Sequence, residues 1–153
     1  MQINTILGAL FAVTASGAAV KPRDVVYNIF GFSAFCVPHS TQCGYGFRVI
    51  PSTAAPGSNG TICGDLIGGP DNLPPLPLTG CFDPADTTFA YSIAIADGGL
   101  TLTVTSPLDE HTNITGTHNA PADQFEIYNG GTTMSQTYIG PKNFTMDTVE
   151  VAV

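Results

Sequence analysis

Between Thr88 and Thr105 the chain spells out a β-hairpin. Phe89, Tyr91, Ile93 and Ile95 alternate with Ala90, Ser92, Ala94 and Ala96. Asp97, Gly98 and Gly99 interrupt, and Leu100, Leu102 and Val104 then alternate with Thr101, Thr103 and Thr105. Successive side chains of a strand point to opposite faces, so each arm carries one large apolar face and one small or polar face. The Gly-rich break supplies the positive φ that a tight turn between antiparallel arms requires. Arms built this way must bury one face, and the rest of the chain has to provide the other side of that core.

The remainder has the composition to do so with more strands. The whole chain of 153 residues includes 17 Gly and 12 Pro with only 10% charged residues, the mark of one turn-rich β domain. Val25 to Phe35 reads as a first strand or pair of strands, with Tyr27 and Ile29 in one phase and Phe30, Phe32 and Ala34 in the other. A β-bulge near Phe30 and Gly31 accounts for that slip. Cys36 to Cys43 then forms a small loop at a hairpin end, and Tyr45, Phe47 and Val49 return as a strand. Pro51 to Gly60 is a loop by composition, and Thr61 to Ile67 a short strand.

Gly68 to Gly80, with Pro70, Pro74, Pro75 and Pro77, reads as a long surface loop, because proline has no amide to give a sheet interior. Leu73, Leu76 and Leu78 within it either fold back as a lid on the core or face a partner. Further strands are expected at His111 to Thr117 and Gln124 to Tyr128, with a turn at Asn129 to Gly131. A last pair is expected from Thr137 to Ile139 with Phe144 to Val153. The latter changes phase between Met146 and Val149, which calls for another bulge or bend. No stretch after the N-terminal segment sustains a helical period. Eight or more short strands predict an all-β fold: a single antiparallel β-barrel or barrel-like sandwich stapled by two disulfides. Tyr27, Phe32, Phe35, Tyr45, Phe47, Phe89 and Tyr91 are assigned to its core, which is either filled by side chains or holds one small cavity.

Residues 1–19 have the layout of a secretory signal peptide, leaving 20–153 as the barrel domain. An apolar run from Ile6 to Val13 is followed by small residues to Ala19, before the first charges at Lys21, Arg23 and Asp24. The n-region carries no Lys or Arg, and the apolar run is short of the roughly 20 residues a membrane span needs. Asn59, Asn113 and Asn143 each head a glycosylation sequon, which suits export and a surface position. The four cysteines, Cys36, Cys43, Cys63 and Cys81, read as disulfides in a small secreted chain. Of three possible pairings, Cys36 with Cys43 and Cys63 with Cys81 closes the two shortest loops. Zinc would need tighter Cys spacing and a second short pair of ligands. The net charge of −8, with basic residues scattered singly, excludes a phosphate-backbone binder and disfavours an anionic membrane.

No catalytic constellation stands out, and neither a metal nor a cofactor is expected. His111 and His118 lie seven positions apart, on opposite faces of an uninterrupted strand, and meet one ion only through a bulge at Gly116. A ribonuclease would need a base, an acid and a cation, drawn from Glu110 or Glu126, His39 or His111, and Arg48; no spacing joins them. A serine hydrolase lacks its Gly-x-Ser-x-Gly elbow. The absence of Trp weakens a carbohydrate-binding module. His39, beside Ser40 in the small cysteine loop, is either a recognition tip or a turn residue.

The order of features resembles a family of secreted fungal effectors and elicitors typified by the major Alternaria allergen. The residues that carry the resemblance are Tyr27, Ile29, Phe32, Ala34, Pro38, Phe47, Val49, Thr61 to Cys63, Cys81, the Phe89-Tyr91-Ile93 arm and the Gly99 to Leu102 return. It covers about half the chain and rests on spacing. It implies a secreted β-barrel without enzymatic chemistry that binds host components or small apolar ligands, or triggers plant defence, with Cys63 and Cys81 matching the family's first intramolecular bridge. The chain departs in having no Cys near its mature N-terminus and none after Cys81, so a covalent dimer is not supported. The expected function is extracellular binding of a host protein or small apolar ligand, through His39, Ser40, Leu73, Leu76 and Leu78. A secreted hydrolase and a cell-wall binding module are the alternatives.

Overall fold

Alternation of apolar residues becomes a sheet wherever a turn lets the chain double back, and here it does so repeatedly. The computed structural model describes residues 21–69, 72–82, 88–132 and 134–153; the expected signal peptide lies outside the described residues. The strands are β1 Lys21–Cys36, β2 Gln42–Pro51, β3 Thr61–Gly68, β4 Leu76–Gly80, β5 Ala90–Ala96, β6 Gly99–Pro107, β7 Thr112–Ala120, β8 Phe125–Asn129, β9 Met134–Tyr138 and β10 Phe144–Ala152. All join one antiparallel sheet in the order β3-β2-β1-β10-β7-β6-β5-β4, with the β8–β9 hairpin attached to β1. The sheet curls into a nearly closed barrel. Its two terminal strands, β3 and β4, are clamped by Cys63–Cys81, whose Cα atoms stand 4.2 Å apart.

The hairpin of β5 and β6 pairs from Ala90 with Thr105 down to Ala96 with Gly99. Its two turn residues, Asp97 and Gly98, have φ of 52° and 75°. Two successive positive φ values match the right-handed twist of the flanking strands, which is why this turn closes the hairpin without splaying it. Tyr91, Ile93, Leu100, Leu102 and Val104 are buried, as the alternation requires.

In β1 the register slips between Phe30 and Ser33, with Gly31 at φ 65°, so the expected bulge lies where the phase changes. It turns Phe32 inward to a fully buried position. There the ring meets Phe47, Tyr138 and Phe144 at centroid distances of 6.2, 4.9 and 5.7 Å. Tyr27 crosses the interior: its hydroxyl donates to the Ile114 carbonyl at 3.1 Å and shares a 2.8 Å hydrogen bond with Ser106. Burial pushes that phenol above its ordinary pKa, so it stays protonated and able to donate.

Four expectations need correction. The end of the proline-rich segment is not loop but β4, an edge strand whose register shifts between Leu76 and Thr79, where Pro77 removes a donor the ladder does not use. Phe35 is not core: past the bulge the alternation carries it outward, and it is exposed. The segment of β9 does not pair with the C-terminal strand; β9 pairs with β8 and β1, and β10 with β1 and β7. The register shift expected in β10 falls instead in β1, between Arg23 and Val26. β10 keeps its phase through Thr148, which is buried because its hydroxyl donates to the Val25 carbonyl. A polar residue holding a core position hid the true period.

Candidate functional site

The small cysteine loop and the leucine segment do meet. Cys36 and Cys43 are cross-strand partners at the end of β1 and β2, and their disulfide staples the hairpin there. Gly69 donates its N–H to the Thr41 carbonyl at 2.8 Å, Tyr45 its hydroxyl to the Pro74 carbonyl at 2.7 Å, and Leu73 its N–H to Gln136 Oε1 at 2.9 Å. These bonds draw Gly69, Leu73 and Pro74 across the mouth of the barrel. Leu73 and Leu76 are buried there as a lid, which removes both from reach of a partner, while Leu78 points out and is exposed.

His39 and Ser40 are exposed at the tip of the β1–β2 loop. The Ser40 N–H donates to the Val37 carbonyl at 3.2 Å, with Pro38 and His39 between them and His39 at φ 59°. Proline second and a positive φ third is the arrangement of a type II turn, where glycine is usual. A side chain in that conformation costs on the order of 1 kcal/mol.

The other histidines go elsewhere. Alternating strand directions put the β1–β2 loop at one end of the barrel and the β6–β7 loop, with His111 and Glu110, at the other. His118, on the inner face of β7, stacks on Phe144 with ring centroids 3.8 Å apart and planes 16° from parallel. Among the described residues its buried Nε2 has no hydrogen-bond partner. The nuclease candidates are therefore split, with His39 at one end of the barrel and Glu110 and His111 at the other, and no group of three or more potential metal ligands clusters among the described residues.

Burial holds the His118 imidazole below its ordinary value near 6.5. The fold favours the neutral ring, so the stability this group contributes is present above about pH 6.5 and is lost as pH falls through the lower folded value. Tm is expected to decline from pH 7 toward 5 in the native chain and less steeply in His118→Phe. A ring titration at or above pH 6.5, read by NMR, would contradict this.

A second buried polar atom is the Tyr91 hydroxyl, which also has no partner among the described residues. Burial, then the charge of Asp65, pushes this phenol up to about 12, so it remains neutral.

The surface that sequence reasoning missed is the outer face of β1, β2 and β3. Cross-strand partners share a face, and register aligns three rows: Phe30 with Arg48 and Ile62, Ser33 with Gly46 and Gly64, and Phe35 with Gly44 and Leu66. Phe30, Ile62, Phe35 and Leu66 are exposed at 43%, 53%, 39% and 60%. The middle row is nearly bare. Phe35 and Leu66 lie over Gly44, their nearest atoms 2.9 and 3.1 Å from where a Gly44 Cβ would stand, so the ring covers backbone that glycine leaves open. Between Phe30, Arg48 and Ile62 is a depression of about 450 Å³. The alternation in β2, read outward, could have signalled this face: Gly44, Gly46 and Arg48 alternate with Tyr45, Phe47 and Val49.

The three sequons differ in setting. Asn59 is exposed in the β2–β3 loop, and Asn143 is exposed with its Oδ1 accepting the Gly31 N–H at 3.0 Å. Asn113 lies half-buried in β7, paired on both sides with Pro107 and Val151.

No protein-family model matches this chain, and no curated protein matches it. Solved structures do. A crystal structure of the Alternaria alternata allergen Alt a 1 superposes with a TM-score of 0.51 at 15% identity, over 90% of this chain and 97% of that one. A second crystal structure of the same major allergen gives 0.49 at 13% identity, over 86% and 98%. The likeness is one of fold.

Proposed function

We propose that this is a secreted, non-catalytic binding protein whose contact surface is the outer face of β1, β2 and β3, rimmed by the His39–Ser40 loop. The observation that carries this is the pair of exposed apolar rows, Phe30 with Ile62 and Phe35 with Leu66, that flank the small-residue row of Ser33, Gly46 and Gly64 on one face. A solvated face of an antiparallel sheet ordinarily alternates to polar residues, and contiguous exposed apolar surface marks an interaction site. Two disulfides suit an oxidising compartment, and the signal-like N-terminus and the sequons at Asn59 and Asn143 support the same route. The fold shared with a fungal allergen supports a host-directed extracellular role.

The test is photo-cross-linking. A benzophenone side chain placed at Ile62, with the protein incubated in extracellular fluid from plant leaves, is expected to form a discrete adduct. The same group at Thr117, exposed on β7, is expected to form none. Equal labelling from both positions, or labelling from Thr117 alone, would remove the face from the account.

A further inference from the structure

We infer that the depression between Phe30, Arg48 and Ile62 is a site for a small amphipathic carboxylate: a flat apolar body lying over Ser33 and Gly46, its acid group on the Arg48 guanidinium. This rests on the outer face being the contact surface and adds the chemistry of what occupies it.

The walls come from register. Phe30 and Ile62 flank Arg48 on the two neighbouring strands, so a cation stands between two exposed apolar side chains. The floor comes from small residues. Gly46 has no side chain, and the Ser33 hydroxyl is turned onto the Gly46 carbonyl at 3.3 Å, so it is already engaged. A planar body can therefore approach the sheet closely, and Arg48 remains the polar group that fixes its orientation. The depression holds about 450 Å³ and is open to solvent, so a flat ligand lies on it with one face exposed.

Charge then selects the ligand's head group. Among the described residues no carboxylate forms an ion pair with Arg48, and the stem of Arg48 is set against Gly60, its Cγ 3.1 Å from where a Cβ would stand there. A guanidinium presents paired N–H donors that match a carboxylate. The whole chain carries −8, which opposes anions at long range. A single carboxylate, held locally, meets that opposition with the least charge; a phosphate dianion or an acidic polymer meets more.

The experiment titrates the full, disulfide-bonded chain with 2-naphthoate and with its neutral counterpart 2-naphthamide, following backbone amides by NMR. The naphthoate is expected to shift Gly31, Gly46, Arg48 and Gly64 saturably and to bind about three-fold more tightly than the amide, the scale of one solvent-exposed charge contact. Arg48→Gln should abolish that preference while leaving the amide spectrum of the fold intact, and Arg48→Lys should restore part of it. Ile62→Ser should weaken both probes alike. Equal affinity for the two probes, a preference that survives Arg48→Gln, or shifts centred elsewhere would each overturn the carboxylate site. If the neutral amide binds this face as well as the acid does, the apolar contact surface stands and the anion inference falls. If neither probe shifts the face while Ile62 still cross-links a partner, the inference likewise falls and the contact surface is kept.

Discussion

Phe32→Ala is expected to destabilise the protein by about 3–5 kcal/mol, the cost of emptying a large aromatic position in a packed core. The size of the effect follows from the bulge. Gly31 takes up one extra residue in β1, and only because of that does Phe32 face inward. Its fully buried ring then contacts Phe47 from β2, Tyr138 from β9 and Phe144 from β10, so one side chain ties three other strands to β1. A loss of that size is a large share of the roughly 5–15 kcal/mol that holds a domain together, and corresponds to a Tm fall on the order of 10 °C. The control lies three residues along. Phe35→Ala removes the same ring from an exposed position and should cost far less. Equilibrium unfolding of the two variants decides the matter: a larger loss at Phe35 than at Phe32 would mean that the bulge, and every side-chain direction after it, is misplaced.

Removing the Cys63–Cys81 bridge by paired alanine substitution is expected to cost about 3 kcal/mol on the chain-entropy account, for a sequence separation of 18. Position matters as well as loop length. β3 and β4 are the terminal strands of the sheet, and this bridge clamps one to the other. Inside it, Phe47 of β2 and Tyr91 of β5 meet edge to face at 5.2 Å, an aromatic contact across the gap in the sheet. Without the clamp that gap can open, so faster amide hydrogen exchange is expected in β3 and β4 ahead of β1 and β10. The Cys36–Cys43 bridge spans a separation of only 7, between two strands already paired residue by residue, and its removal should cost less, about 2 kcal/mol. Thermal unfolding and exchange on both paired variants test the ranking; a greater loss from the shorter loop would contradict it.

Much of this fold is legible from alternation and punctuation. The Asp97–Gly98 turn, the slip at Gly31 and the closing of Cys36 on Cys43 are local features with local signals, and each lies where the residues place it. What escaped was set by neighbours. Thr148 occupies a core position because β1 offers it the Val25 carbonyl, which no pattern within β10 reveals. Pro77 sits in a strand because that strand is an edge, a fact of topology. The candidate site escaped for a related reason. Phe30, Ile62 and Leu66 lie on three separate segments, and only the pairing register shows that they share one face. Leu73 and Leu76 read from the sequence as a lid ahead of a contact, and the hydrogen bonds that hold Gly69, Leu73 and Pro74 over the barrel mouth make them lid.

The central claim, that the outer face of β1, β2 and β3 is the contact surface, is tested most directly with the neutral apolar dye Nile red. It is titrated into the native chain, into a Phe30→Ser, Ile62→Ser, Leu66→Ser triple variant, and into an Ile127→Ser, Ile139→Ser control altered at other exposed apolar positions. Dye fluorescence is expected in the native chain and the control and to be lost in the triple variant. All three substituted positions are exposed, so the triple variant's Tm should lie within a few degrees of the native value. Undiminished dye binding by the triple variant at a native-like Tm would contradict the claim.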